Sequence, residues 1–118
     1  MQRKQAAPPF DDGAVTIYRV SNGAASGDMP EESITQLGVL HYHRRTIGVQ
    51  RRYLALQAQA KLDLLLRCPY RIEVSAQDVA VPTLDGHQYR ITDIQVPEDI
   101  QPPVMDLTLE RLEADYAL

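Results

Sequence analysis

Asp85-Gly86 lies between two apolar, strand-like runs, Asp78 to Val81 and Gln88 to Gln95, and Pro82-Thr83-Leu84 leads into it. Asp-Gly tolerates the left-handed backbone that a tight hairpin turn demands, and short apolar runs on both sides of it describe paired strands. The two runs are therefore expected to pair antiparallel. That expectation sets the class of fold: the second half of the chain builds a sheet, and other segments must supply its remaining strands.

Candidates for those strands are present. Ala14 to Val20 (AVTIYRV) alternates and is rich in β-branched residues, which predicts a first strand. Ser33 to His43, containing GVLHYH, predicts a second, and Met105 to Leu112 (MDLTLERL) predicts a last. Ser21 to Glu32 (SNGAASGDMPEE) has the Gly, Ser, Asn, Asp and Pro content of a long loop, and Val96 to Pro103, with three prolines, reads as a connector. The run between the second strand and Pro69 is ambiguous. From Leu54 to Leu66 every even position is apolar, the period of a half-buried strand. Yet Leu, Ala, Gln and Arg favour helices, and Val49, Tyr53, Leu56 and Ala60 share one helical face. Gln50 to Gln57 is accordingly expected to form a short helix or one turn of one, and Lys61 to Arg67 a strand ended by Pro69. The whole reads as a flexible arm at residues 1–13 and a single domain at residues 14–118. That domain is mainly β: a small antiparallel barrel or sandwich with one short helix and a long N-terminal loop.

The 118 residues suit one domain. With no Trp and one Phe, the core must rest on Leu, Val, Ile, Ala and six Tyr, a modest core of the kind that gains stability from neighbours in an oligomer. No apolar run approaches the roughly 20 residues of a membrane helix, and the basic N-terminus lacks the apolar stretch of a signal peptide, so neither a membrane partner nor secretion is expected. A single cysteine, Cys68, excludes an intramolecular disulfide and a Cys-rich zinc site; a reduced compartment and an inert, buried thiol are expected.

Charge is unevenly spread. Residues 1–40 hold three basic and five acidic residues, residues 41–71 seven basic and one acidic, and residues 72–118 two basic and ten acidic. A basic middle and an acidic end suit head-to-tail association between copies, or neutralisation of one segment by the other within one fold. The densest basic cluster is Arg44, Arg45, Arg51 and Arg52. Guanidinium groups suit phosphate contacts, which dominate nucleic-acid affinity. An overall acidic chain, with pI about 5.2, argues against a dedicated nucleic-acid binder, and solvated strand edges or ion pairs to the acidic segment account for the cluster as well.

Other chemistry is thinly supported. His41 and His43 point to one face of a strand, but a metal site needs further ligands and only His87, in the hairpin turn, remains among the histidines. Ser21, Ser26, Ser33 and Ser75 stand in no nucleophile elbow, and Cys68 has no catalytic signature around it. There is no Gly-rich phosphate loop, and Asp106 and Glu110, alternating with Leu, read as a solvated strand face. No catalysis and no cofactor are expected. An OB-like barrel binding single-stranded nucleic acid is the alternative to a purely structural role.

From Leu37 onward the order of segments is LGVLHYH, an Arg-Thr-x-Gly segment, YLALQ, KLDLLLRCP, QDVAV, the Asp-Gly hairpin, YRITDIQ and MDLTLERLE, preceded by VTIYRVSN and DMPEES. This order resembles the head–tail joining proteins of tailed phages, also called head-closure or stopper proteins, over most of the chain. The resemblance implies a small β-barrel that assembles as a homo-oligomeric ring beneath the portal. Such a ring extends the channel for packaged double-stranded DNA and docks the tail, with no catalysis. It implies portal or adaptor proteins and tail proteins as partners. The implied location is the virion head–tail interface, and the bacterial cytoplasm before assembly. It further implies that Thr46–Gln59, bracketed by Arg44, Arg45, Arg51 and Arg52, faces the channel or a neighbouring subunit, and that Leu40 or Tyr42 fills the place of a second-strand tryptophan.

Overall fold

The Asp-Gly hairpin forms in the computed structural model of the protein, which describes residues 5–6, 10–23, 31–47 and 62–118. The strands are β1 (Gln5–Ala6), β2 (Gly13–Gly23), β3 (Glu31–Arg45), β4 (Leu64–Pro69), β5 (Val79–Pro82), β6 (Tyr89–Gln95), β7 (Ile100–Gln101) and β8 (Val104–Arg111). In the hairpin, Val79 pairs with Arg90 and Ala80 with Tyr89. Gly86 takes a φ of +70°, which glycine reaches without a Cβ penalty, and its N–H donates to the Pro82 carbonyl at 3.0 Å. Asp85 locks the turn: one carboxylate oxygen accepts the His87 N–H at 2.9 Å, the other the Tyr89 hydroxyl at 2.5 Å. Burial pushes the Asp85 carboxyl up, but these two hydrogen bonds together with the charges of His87 and Arg111 outweigh it and hold it below the ordinary carboxylate value.

Six strands close into a barrel in the order β2-β3-β4-β8-β6-β5, with β5 pairing back onto β2, and every pairing is antiparallel. Of the two architectures expected, barrel and sandwich, the barrel is the one formed. Closure gives each of these six strands two neighbours along part of its length. Alternation then sorts side chains. Val15 and Ile17 of β2, Leu40 and Tyr42 of β3, Leu64, Leu66 and Cys68 of β4, and Met105, Leu107 and Leu109 of β8 all enter one buried cluster, joined by Ala80, Tyr89 and Ile91. Leu40 and Tyr42 thus both fill the interior at the second strand. Two register shifts, at Ile17/Tyr18 against β3 and at Ile91/Asp93 against β8, are the bulges that bend strands around a small barrel.

β2 and β3 run past the barrel. β5 pairs only with Val15–Tyr18 of β2, and β4 only with His43–Arg45 of β3, so Arg19–Gly23 and Glu31–Thr35 continue together as a two-stranded ribbon. Strand pairing therefore claims both ends of the expected Ser21–Glu32 loop, Ser21–Gly23 and Glu31–Glu32, because pairing continues past the point where composition turns polar; residues 24–30 lie outside the described residues. The expected Val96–Pro103 connector contains β7, which pairs in parallel with β1 and so ties part of the N-terminal arm to the body. The Lys61–Arg67 strand begins later and ends later, at Leu64–Pro69, with Pro69 in the last position, where a missing N–H is tolerated. The Gln50–Gln57 helix or turn lies outside the described residues; among those described there is no helix.

Candidate functional site

Arg44 and Arg45 end β3 and, as neighbours on a strand, point to opposite faces. Arg45 lies opposite Leu65 of β4, and two positions further along, on the same face, His43 lies opposite Arg67. Across β4, Arg67 is in turn directly opposite Asp106 of β8. Three neighbouring strands thus bring two guanidinium groups and one carboxylate to the same outer wall.

Asp106 is almost completely buried, at 4% exposure. Arg67 donates to both of its oxygens, through Nε at 2.7 Å and Nη2 at 2.9 Å, and Arg45 Nη1 donates at 3.0 Å. This corrects the expectation that Asp106 belongs to a solvated face. Its position in the alternation is outward, but the outer wall here is covered, and arginine brings the counter-charge. The hydrogen bond and charge of Asp106 hold the Arg67 guanidinium more firmly protonated than usual, against the opposing effect of its partial burial. The fork-to-carboxylate geometry is the strongest form of such a pair. Two of the basic residues of the 41–71 segment, Arg45 and Arg67, thus pair with the acidic C-terminal segment within the same fold, as the neutralising alternative expects.

Arg44 is exposed; its backbone N–H donates to Asp12 Oδ2 at 2.7 Å. Together with Arg45, Thr46, Ile47, Asp63, Leu64 and Leu65 it lines a polar cleft of about 390 Å³ at the end of the barrel. Asp63 is tied down at this cleft, its N–H donating to the Leu109 carbonyl at 2.9 Å and its Oδ2 accepting the Arg111 N–H at 2.7 Å. Of the four arginines expected to act together, the structure brings Arg44 and Arg45 to one cleft; Arg51 and Arg52 lie outside the described residues.

The histidines separate. His41 is exposed, and His87 Nδ1 is 3.1 Å from Arg111 Nη2. His43 Nδ1 is 3.0 Å from Asp12 Oδ2, and Asp11, Asp12 and His43 present ligand-type atoms within 4.8 Å of one another. The β2–β3 register, which sets Gly13 beside Tyr42, produces this cluster. Sequence reading missed it because Asp11 and Asp12 precede the first strand by position and look like arm residues. The Asp12 carboxylate is already engaged by the Arg44 N–H, and the Asp12 N–H donates to the Tyr42 carbonyl at 3.1 Å, so Asp12 acts as a strap that starts β2 against β3.

Cys68 is sealed in the core, and burial, aided by the charge of Asp106, pushes its thiol up to about 12. A thiol so placed supplies no thiolate at neutral pH. Two of the expected serines bond each other: the Ser21 and Ser33 hydroxyls are 2.8 Å apart across the ribbon. Ser75 sits in the turn before β5 and receives a donor of Arg19 at 3.3 Å.

Compared with known proteins, the chain matches no family model, no curated protein and no solved structure.

Proposed function

We propose that the protein is a structural component of a phage or prophage head–tail connector: a non-catalytic barrel that forms a ring below the portal, closes the DNA channel and docks the tail. The observation that supports this reading best is the correspondence between motif order and strand order. Of the segments that resemble the head–tail joining proteins, LGVLHYH and YRITDIQ fall within strands of one closed barrel, and KLDLLLRCP, QDVAV and MDLTLERLE each contribute most of their residues to one, while YLALQ lies outside the described residues. In this reading Arg44 and the remaining donors of Arg45 face packaged DNA or a neighbouring subunit at the barrel's end, and contact with DNA is non-specific and electrostatic. Before assembly the chain resides in the host cytoplasm.

The OB-like alternative fits the strand arrangement less well. OB folds are five-stranded, partly open Greek-key barrels, whereas six antiparallel strands close here. Negative-stain imaging of the purified chain mixed with portal complexes tests the proposal. Added ring density below the portal is expected; portals that stay bare at saturating protein, together with tight salt-sensitive binding to single-stranded oligonucleotides, would favour the alternative.

A further inference from the structure

Gln88 is one of three buried polar or charged residues among those described, at 6% exposure. Its backbone carbonyl accepts the Leu112 N–H at 3.0 Å, one position beyond Tyr89 and Arg111, the end pair of the β6–β8 ladder. Its side-chain amide reaches further along the chain, to Tyr116. Nε2 donates to the Tyr116 carbonyl at 2.8 Å, and Oε1 accepts the Tyr116 N–H at 2.8 Å. One side chain thus makes to a backbone the pair of bonds that a neighbouring strand would make.

The chain is anchored up to Leu112 and latched after it. The Arg111 N–H is held by Asp63 Oδ2 and the Leu112 N–H by Gln88. Beyond them Glu113, Ala114, Asp115, Ala117 and Leu118 are exposed, and Tyr116 alone is half-buried. A polar cleft of about 290 Å³ is lined by Arg90, Glu110 and Arg111 of the barrel wall and by Leu112, Glu113 and Tyr116 of this segment. The segment therefore buries little of itself, and the latch to Gln88 matters correspondingly more. Two neutral hydrogen bonds are a small hold beside the barrel, which opens only by exposing its whole core.

We infer that residues 113–118 are a latched strap: they release from Gln88 and lift off the Arg90–Glu110 wall while the barrel stays closed. Leu112, tied to the ladder, is the fixed end, and Tyr116 is the point of release. Release leaves the Gln88 amide without its partners, so the strap is drawn back, and the wall alternates between a covered and an open form. The inference concerns the chain by itself and does not depend on the connector reading.

Amide exchange of the full chain, followed residue by residue by NMR at rising sub-denaturing urea, tests it. The Tyr116 N–H is expected to exchange at least about a hundredfold faster than the Ile91 N–H, which the Asp78 carbonyl holds at 2.8 Å in the barrel. Its rate should hardly respond to urea, because opening the strap exposes little surface. Gln88→Leu should speed Tyr116 exchange by about tenfold, and the urea response of the unaltered chain decides the matter even should that variant fold poorly. A Tyr116 N–H with the rate and urea dependence of Ile91, one with no protection at all, or one whose protection survives Gln88→Leu overturns the inference.

Discussion

Two buried aspartates, Asp106 and Asp78, are each 4% exposed, yet different groups satisfy them. Among the described residues Asp106 is held by the side chains of Arg67 and Arg45, contributed by two other barrel strands. Asp78 is held partly by the backbone of the turn before it: Ser75 N–H donates to Oδ2 at 2.8 Å, while Arg19, reaching from β2, supplies a two-pronged pair at 3.1 Å. Arg67 is mostly buried beside Asp106, whereas the Arg19 side chain is 42% exposed. The difference teaches where a removed cation is costly. The Ser75 N–H still holds Asp78 when Arg19, itself half-exposed, is lost, whereas Asp106 without Arg67 loses its principal partner inside a covered wall and keeps only the single Arg45 donor.

The largest expected effect follows from that contrast. Arg67→Met should destabilise the fold by about 3 kcal/mol in urea denaturation, because it removes the two-pronged partner of a buried carboxylate and leaves it only the single Arg45 donor. Replacing both Arg67 and Asp106 by Leu should recover most of the loss. A single-variant loss below about 1 kcal/mol would break the comparison. Gly13→Ala comes next, at about 2 kcal/mol. Gly13 has a φ of +151°, and an added Cβ would lie 2.5 Å from Thr83 Oγ1 and 2.8 Å from the Tyr42 hydroxyl.

Alkaline pH gives a third, smaller effect. Burial raises the Cys68 thiol from 9.0 to about 12, and burial with the Asp85 hydrogen bond raises the Tyr89 hydroxyl from 10.0 to about 12. Both groups stay neutral in the folded chain while the unfolded chain ionises, so the stability they contribute is present below about pH 9 and is lost between pH 9 and 12. Denaturation midpoints should be flat up to about pH 9 and then fall, and Cys68 should resist thiol reagents at pH 8 until the chain unfolds. Arg19→Met should cost clearly less than Arg67→Met, which sharpens the comparison directly. Smallest of all, Glu73→Gln should leave stability within measurement error, since its Arg71 partner is 46% exposed and such surface pairs contribute little.

Local patterns announced the elements they directly determine. The Asp-Gly hairpin, the AVTIYRV strand, the GVLHYH strand and the MDLTLERL strand are each specified by alternation and turn chemistry within about ten residues. Long-range register is a different matter. Arg67 meets Asp106, 39 residues away, only because β4 pairs with β8 in one particular alignment. Alternation says correctly that Asp106 points away from the core cluster but is silent on whether the outside is covered. The Asp12–His43 strap and the ribbon continuing through Ser21–Gly23 have the same origin, in the β2–β3 register. Charge segregation along the chain was visible, but its use within one molecule, through Arg45, Arg67 and Asp106, depended on which strands became neighbours.

Native mass spectrometry of portal complexes incubated with the full chain tests the central claim most directly. A connector component predicts portal mass increased by a fixed whole number of chains, consistent with one closed ring. Portal mass that does not change at saturating protein would contradict it.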